Sequence, residues 1–304
     1  MILSKIKYQS TSSQIKKDSF SNIIELVEAQ MLSLVTIGHG NISPAMNAAR
    51  YHLDTGGQRI RARLGAHSGL ALNLEIDDIV AISTSVELLH NASLVHDDLQ
   101  DKSESRRNKP AIWKKYGNHI AVCTGDLLIA SAYAALATLS TKDQLPKLLN
   151  LFHKKIASSI KGQISDLNLT YNNISDLSIY ERIAAAKSAP LFSLPTEMAL
   201  IISGQDTYIE AALNCHTQFA IAYQIFDDIQ DITEDRARLH EEPSLNALII
   251  LENTNTSDTA KKIAIGRAKD LLLDTIKGLE GLPNNCSGLL SIYCQTLLTQ
   301  LSVQ

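Results

Sequence analysis

Apolar residues recur at helical intervals through most of this chain. Phe20, Ile23, Ile24, Val27, Met31 and Leu34 follow Asp18, which suits an N-cap, so the spacing predicts a first helix from that residue onward. Clusters of Gly, Pro, Asn and Ser break the pattern at 38–44, 140–146, 171–176, 203–206, 253–258 and 282–287. No period-2 run is bounded by hairpin turns, and no Gly-rich turn follows a strand-like segment. The expectation is an all-α protein of ten or so helices in one bundle spanning 18–304. Residues 1–17, with four lysines, no acid and no apolar core, read as a frayed tail and not as a secretory signal.

Composition narrows the class. Of 304 residues 45% are apolar but only 5% aromatic, an economy suited to helix packing. The net charge of −4 argues against a nucleic-acid binder working through a broad basic face. Cys123, Cys215, Cys286 and Cys294 form no C-x-x-C pair, so they read as packed thiols in a reducing, cytoplasmic setting. The most apolar stretches, 121–140 and 189–202, contain Asp126 or Glu197 and read as buried helices, with no transmembrane segment expected.

Two aspartate motifs dominate the chemistry. Asp97, Asp98 and Asp101 form D-D-L-Q-D, and 130 residues later Asp227, Asp228 and Asp231 form D-D-I-Q-D. Each ends a run with helical spacing: Val86, Leu89, Ser93, Asp97 in the first, Ala220, Gln224, Asp227, Asp231 in the second. Residues i and i+4 share a helix face, so Asp97 pairs with Asp101 and Asp227 with Asp231.

A solvated acidic helix end needs no special explanation, since an exposed like-charge pair costs only about 0.2–0.5 kcal/mol. Both motifs, however, follow apolar helix bodies. Toward an interior, carboxylates ~5 Å apart at an effective dielectric near 20 repel by about 3 kcal/mol, so a cation is expected with them. Oxygen ligands offered one or two at a time suit Mg²⁺ that keeps waters and bridges to phosphate, which points to a diphosphate substrate. Asp77 and Asp78 have no third acid and read as helix-start capping without further function.

Basic groups cluster near the first motif. Arg106 and Arg107 lie in a loop five residues beyond it, placed to clamp diphosphate oxygens. Upstream, Gly56 and Gly57 let backbone approach an anion, beside Gln58 and the charges of Arg59 and Arg61.

Taken together, G-G-Q-R-I-R, E-L-L-H-N-A-S-L-V-H-D-D-L-Q-D, the Arg pair, Gly125-Asp126, Lys187-Ser188-Ala189 and Q-I-F-D-D-I-Q-D resemble the trans-isoprenyl diphosphate synthases, or polyprenyl synthetases, from about residue 50 to 235. The resemblance implies a single-domain isoprenoid-synthase bundle around a central cavity, usually homodimeric. There three Mg²⁺ ions bind an allylic diphosphate, with isopentenyl diphosphate beside it. On that pattern Asp97 and Asp101 ligate two metals and Asp227 the third, while Asp228 and Asp231 complete the shell. The catalytic set is Asp97, Asp98, Asp101, Lys187, Ser188, Gln224, Asp227, Asp228 and Asp231. Arg106 holds the allylic diphosphate, and Gly57, Gln58, Arg61, His90 and Arg107 the homoallylic one. Ala92 and Ser93, one turn before Asp97, are small, which favours products of C15 to C20 or longer.

The sequence departs from the family pattern at three points. Gln58 replaces a lysine, His240-Glu241 replaces G-K, and no lysine precedes Pro243-Ser244-Leu245, with Arg236 and Arg238 the nearest substitutes. These departures keep two other readings open, a prenyltransferase with a different acceptor and a non-catalytic partner subunit, and the helical fold with its aspartate-rich first motif keeps open a third, a class I terpene cyclase.

Overall fold

A computed structural model describes residues 14–36, 43–168, 176–238 and 245–303. His240, Glu241, Pro243 and Ser244, and the tail up to residue 13, lie outside the described residues. The chain divides into two compact units, residues 1–149 with 198–204, and 150–197 with 205–304.

In the first unit, α1 (Gln14–Val35), α2 (Pro44–Asp54), α3 (Ile60–Ala71), α4 (Ile76–Gln100), α5 (Ile112–Tyr116) and α6 (Asn118–Leu136) are ordered as the sequence breaks suggest. The first helix begins four residues before Asp18, so Asp18 lies within it and does not cap it. At the center is α4, packed against α6, α3 and α1. Its residues from Asp78 to Leu89 are all buried, as expected of a helix with no polar face. Small residues allow this. Gly69 of α3 lies against Ile79, leaving no room for a Cβ, and Ser83, Thr84 and Ser85 are fully buried.

Asp77 and Asp78 occupy the first turn of α4, the favourable end of the helix dipole. Asp78 does more than compensate the dipole. It accepts hydrogen bonds from Ser140 N at 2.6 Å, Thr141 N at 3.1 Å and Thr141 Oγ1 at 2.5 Å, tying down the segment that follows α6. By length and composition α6 is long and apolar enough to cross a membrane, and 44% of its most apolar window is buried. One face, with Ala121, Leu128, Ala132 and Leu136, is core, whereas Val122 is 45% exposed. This helix is therefore half-buried, whereas residues 189–201 of the second apolar stretch are all buried. The four cysteines are free thiols; three are buried and Cys123 is exposed.

The second unit is built from α9 (Ile209–Arg238), α10 (Ala247–Glu252), α11 (Ser257–Leu279) and α12 (Gly288–Leu301), with α11 packed along α9 and α12. Most of α7 (Leu145–Asn168) and α8 (Leu177–Ile202) belongs to it. Within it Phe192 meets Phe219 edge-on, with ring centroids 5.2 Å apart. Lys155 is buried in an ion pair with Glu197 and donates to Ser193 Oγ at 3.1 Å. The all-α expectation holds with one small addition, a two-stranded hairpin of β1 (Ser105–Arg106) and β2 (Lys109–Pro110).

Candidate active site

The first motif occupies the last turn of α4, with Asp101 as the C-cap and its N–H on Asp97 O at 2.8 Å. That turn contains no basic residue. Three carboxylates there sit at the negative end of the helix dipole, so their own helix destabilises their charge. Asp98 is relieved internally. It is 1% exposed, and Arg106 grips it with Nε at 2.8 and 3.0 Å from its two oxygens and Nη2 at 2.6 Å from Oδ1. Burial still pushes the Asp98 carboxyl above its ordinary pKa, and the guanidinium opposes this. Asp97 and Asp101 remain half-buried at the surface of the turn.

The hairpin explains how the Arg pair is presented. Arg107 and Asn108, with φ of 53° and 61°, form its two-residue tip in the left-handed region that twist-matched hairpin turns require. Arg106 is thereby turned toward Asp98, and Arg107 toward the α2–α3 loop, where it donates to Gly56 O and, at 3.3 Å, to Thr55 Oγ1. Gly57, with φ 149°, lies flat against this guanidinium; a Cβ there would come within 2.8 Å of Arg107 Nη2. Burial and the charges of Arg59 and Arg106 lower the pKa of Arg107 from its usual value.

Arg61 Nη1 lies 3.0 Å from His90 Nε2. A guanidinium only donates, so Nε2 accepts and the ring proton sits on Nδ1. Burial and then the charge of Arg61 hold His90 well below its normal pKa, and it is neutral. Gly57, Arg61, His90, Arg106 and Arg107 thus gather in the first unit as a basic cluster around a neutral histidine. Gln58 has a buried amide oxygen without a donor. Arg59 faces inward, donating to Leu53 O at 3.0 Å and to Glu28 at 3.3 Å. Gly125 serves His96: its missing side chain makes room for the imidazole beside the first motif.

In the second unit the motif lies within α9, which continues seven residues past Asp231 because Ile232 to Arg238 contain no breaker. The expectation that this motif ends its helix is corrected. Its split repeats that of the first: Asp227 is half-buried and Asp231 exposed, while Asp228 is enclosed. Asp228 accepts from Tyr180 Oη at 2.7 Å, Ala247 N at 2.8 Å and Gln224 Nε2 at 3.1 Å. Burial raises its pKa to about 7 against the pull of these donors. In both motifs the middle aspartate is engaged by the protein interior and the outer pair is the accessible one. Asp98 and Asp228 are thus held by protein donors, which differs from the shell role the resemblance implied for Asp228.

Lys187 Nζ lies 2.5 Å from Asp166 Oδ2, and Ser159 Oγ donates to Lys187 O at 2.9 Å. Gly162 backs directly onto the Ala186–Lys187 backbone. Ser188 beside it is half-buried. Sequence reasoning missed Asp166, Gly162, Tyr180 and Asn246. Gly162 and Asp166 are one helical turn apart, a signal that becomes legible only once Lys187 is known to face them. Asn246 donates to Asp228 O at 3.0 Å and Asp235 Oδ2 at 2.8 Å, and caps α10 through Leu248 N. Arg236 is paired with Glu252.

Among the described residues no three His, Cys, Asp or Glu side chains converge as a ready-made metal cage. Each motif instead offers an all-oxygen pair at i and i+4. Such a donor set fits Mg²⁺, whose remaining positions are taken by water and phosphate oxygens.

The all-helical chain has the fold of the isoprenoid synthases. A decaprenyl diphosphate synthase from Rhodobacter capsulatus superimposes with a TM-score of 0.81 at 20% identity, over 94% of this chain and 98% of that one. A geranylgeranyl pyrophosphate synthetase from Pyrococcus horikoshii gives 0.78 at 22%, over 94% and 99%. Residues 43–244 match the Polyprenyl synthetase family, and the chain belongs to that family. It is 32% identical to heptaprenyl diphosphate synthase component 2 of Bacillus subtilis, over 71% of this chain and 60% of that protein. It is 30% identical to an all-trans-nonaprenyl-diphosphate synthase of Rhodobacter capsulatus, over 70% and 67%.

Proposed function

We propose that the protein is a trans-isoprenyl diphosphate synthase. It condenses isopentenyl diphosphate with an allylic diphosphate to give a product of C15 to C20 or longer, acting in the cytoplasm as a homodimer. The observation that carries the reading is the same division in both motifs, with the outer aspartates accessible and the middle one engaged internally, in a chain of this family. Asp97, Asp101, Asp227 and Asp231 are the residues that would hold Mg²⁺, three ions on the family pattern. When bound, the metal neutralises charge developing on the leaving diphosphate.

The chain's own residues do the rest. Lys187 and Ser188 bind the allylic diphosphate, with Asp166 holding the ammonium in place. Arg106 fixes Asp98 and, on the family pattern, binds diphosphate oxygens. Arg61, Arg107, His90, Gln58 and the Gly57 backbone take the second diphosphate, and the neutral His90 lets Arg61 keep its donors directed. The allylic C–O bond breaks with its electron pair leaving on diphosphate. The isopentenyl double bond supplies the pair for the new C–C bond, and a proton then departs to the released diphosphate. Gln224 lies with its carbonyl toward the allylic cation. Ala92 and Ser93, buried and half-buried on α4, leave room for a growing tail.

Purified protein with Mg²⁺, labelled isopentenyl diphosphate and a series of allylic diphosphates tests this directly. Labelled prenyl diphosphates of at least C15 are expected. Hydrocarbon released without isopentenyl diphosphate would make the chain a cyclase, and turnover only on another acceptor or with a second subunit would replace the proposal.

A further inference from the structure

The middle aspartate of the second motif anchors a buried network whose effect reaches Gln224. Tyr180 Oη and the Ala247 N–H both donate to Asp228 Oδ2, at 2.7 and 2.8 Å, while Gln224 Nε2 donates to Oδ1 at 3.1 Å. Two donors on one oxygen fix the plane of the carboxylate and so place the other oxygen. Tyr180 is 2% exposed and Asp228 4%, so water does not compete for these bonds. An ionised Asp228 only accepts, so the Gln224 amide turns its NH₂ to it and its carbonyl away. Left alone, the terminal amide torsion is broad and nearly two-fold, and nothing in its shape distinguishes the two orientations. The orientation matters to the reaction because an oxygen turned toward a cation stabilises it and an NH₂ does not.

We propose that Tyr180 is a positioning residue for prenyl transfer: its hydroxyl holds Asp228 in the setting that locks the Gln224 carbonyl toward the allylic cation. This rests on the reading above, in which Gln224 faces that cation. Tyr180 lies on α8, seven residues before Lys187, so one helix carries both the diphosphate contact and the support for the cation contact.

Steady-state kinetics of Tyr180→Phe, Gln224→Leu and the double variant, with thermal unfolding of each, test the proposal. Tyr180→Phe keeps the ring and is expected to lower kcat about tenfold with KM for the allylic diphosphate unchanged. Gln224→Leu is expected to lose at least as much, and the double variant no more than Gln224→Leu alone, because one effect acts through the other. Multiplying losses, or a raised KM at unchanged kcat, would overturn the positioning role while leaving the synthase reading intact. Wild-type kcat in Gln224→Leu would overturn it at its final link, and a wild-type protein that forms no prenyl diphosphate would instead defeat the synthase reading on which it stands. Should Tyr180→Phe not fold, Tyr180→Leu and Tyr180→Met, which also lack the hydroxyl, are read by the same kcat criterion.

Discussion

Gly162 sets two physical effects against each other, and the structure decides which wins. In a helix interior Gly→Ala ordinarily stabilises by about 1 kcal/mol, through backbone entropy. At Gly162 a Cβ would lie 2.6 Å from Lys187 Cα. The obstacle is backbone and cannot rotate aside, so α7 and α8 must separate by about 1 Å to reach ordinary carbon contact near 3.5 Å. Overpacking of this kind costs about 1–3 kcal/mol, enough to cancel or reverse the propensity gain. Gly266, in α11, has nothing within 4 Å of its Cβ position and supplies the control. Gly266→Ala is expected to raise the melting temperature by about 2 °C, and Gly162→Ala to leave it unchanged or lower it by up to about 4 °C. Because the same shift would move Lys187, Gly162→Ala should also lower kcat, by up to about 100-fold for a displacement near 1 Å. Calorimetry and product assays on both variants read these outcomes. If Gly162→Ala is as stabilising as Gly266→Ala and fully active, the close approach of α7 to Lys187 does not exist in solution.

Other substitutions separate the roles assigned here. Asp97→Ala or Asp227→Ala should cut turnover by about a thousandfold or more with helical circular dichroism intact; near-normal rates would remove these residues from the mechanism. Arg106→Ala strands the buried Asp98 carboxylate and should cost about 3 kcal/mol in urea unfolding, and a variant as stable as wild type would refute that pairing. Burial holds His52 to a pKa of about 3 and His216 to about 4, below the ordinary 6.5. Each therefore contributes stability above pH 6.5 that is lost as pH falls toward its folded value, by about 1.4 kcal/mol per pH unit per histidine. Melting temperature should fall from pH 7 to pH 5, and less steeply in His216→Asn; equal slopes would show that His216 takes up its proton in the folded state.

Much of the fold was legible because long helices announce themselves by period and by breakers. The predicted breaks at 140–146, 203–206, 253–258 and 282–287 lie at helix boundaries, most of 38–44 and 171–176 lies outside the described residues, and both motifs lie on helical faces as spacing requires. The hairpin at Arg106–Lys109 was not legible, since its strands are two residues each and its signal is a pair of left-handed residues, Arg107 and Asn108. Asp18 resembled a cap because the residues before it lack apolar periodicity, yet the helix extends through them. Within the site, the identity of the aspartates was plain but their division of labour was not. Asp98 and Asp228 are distinguished from their neighbours by partners eight and 48 residues away, Arg106 and Tyr180, and no local pattern encodes such contacts.

The inward turn of each middle aspartate bears on transplanting this chemistry to another scaffold. A designer who copies D-D-x-x-D alone onto a new bundle helix imports one carboxylate destined for the interior without the guanidinium or phenol that receives it. The graft would then unfold its host or titrate to the neutral acid. The portable module is the three aspartates together with the donor that receives the inward one, borrowed from elsewhere in the chain.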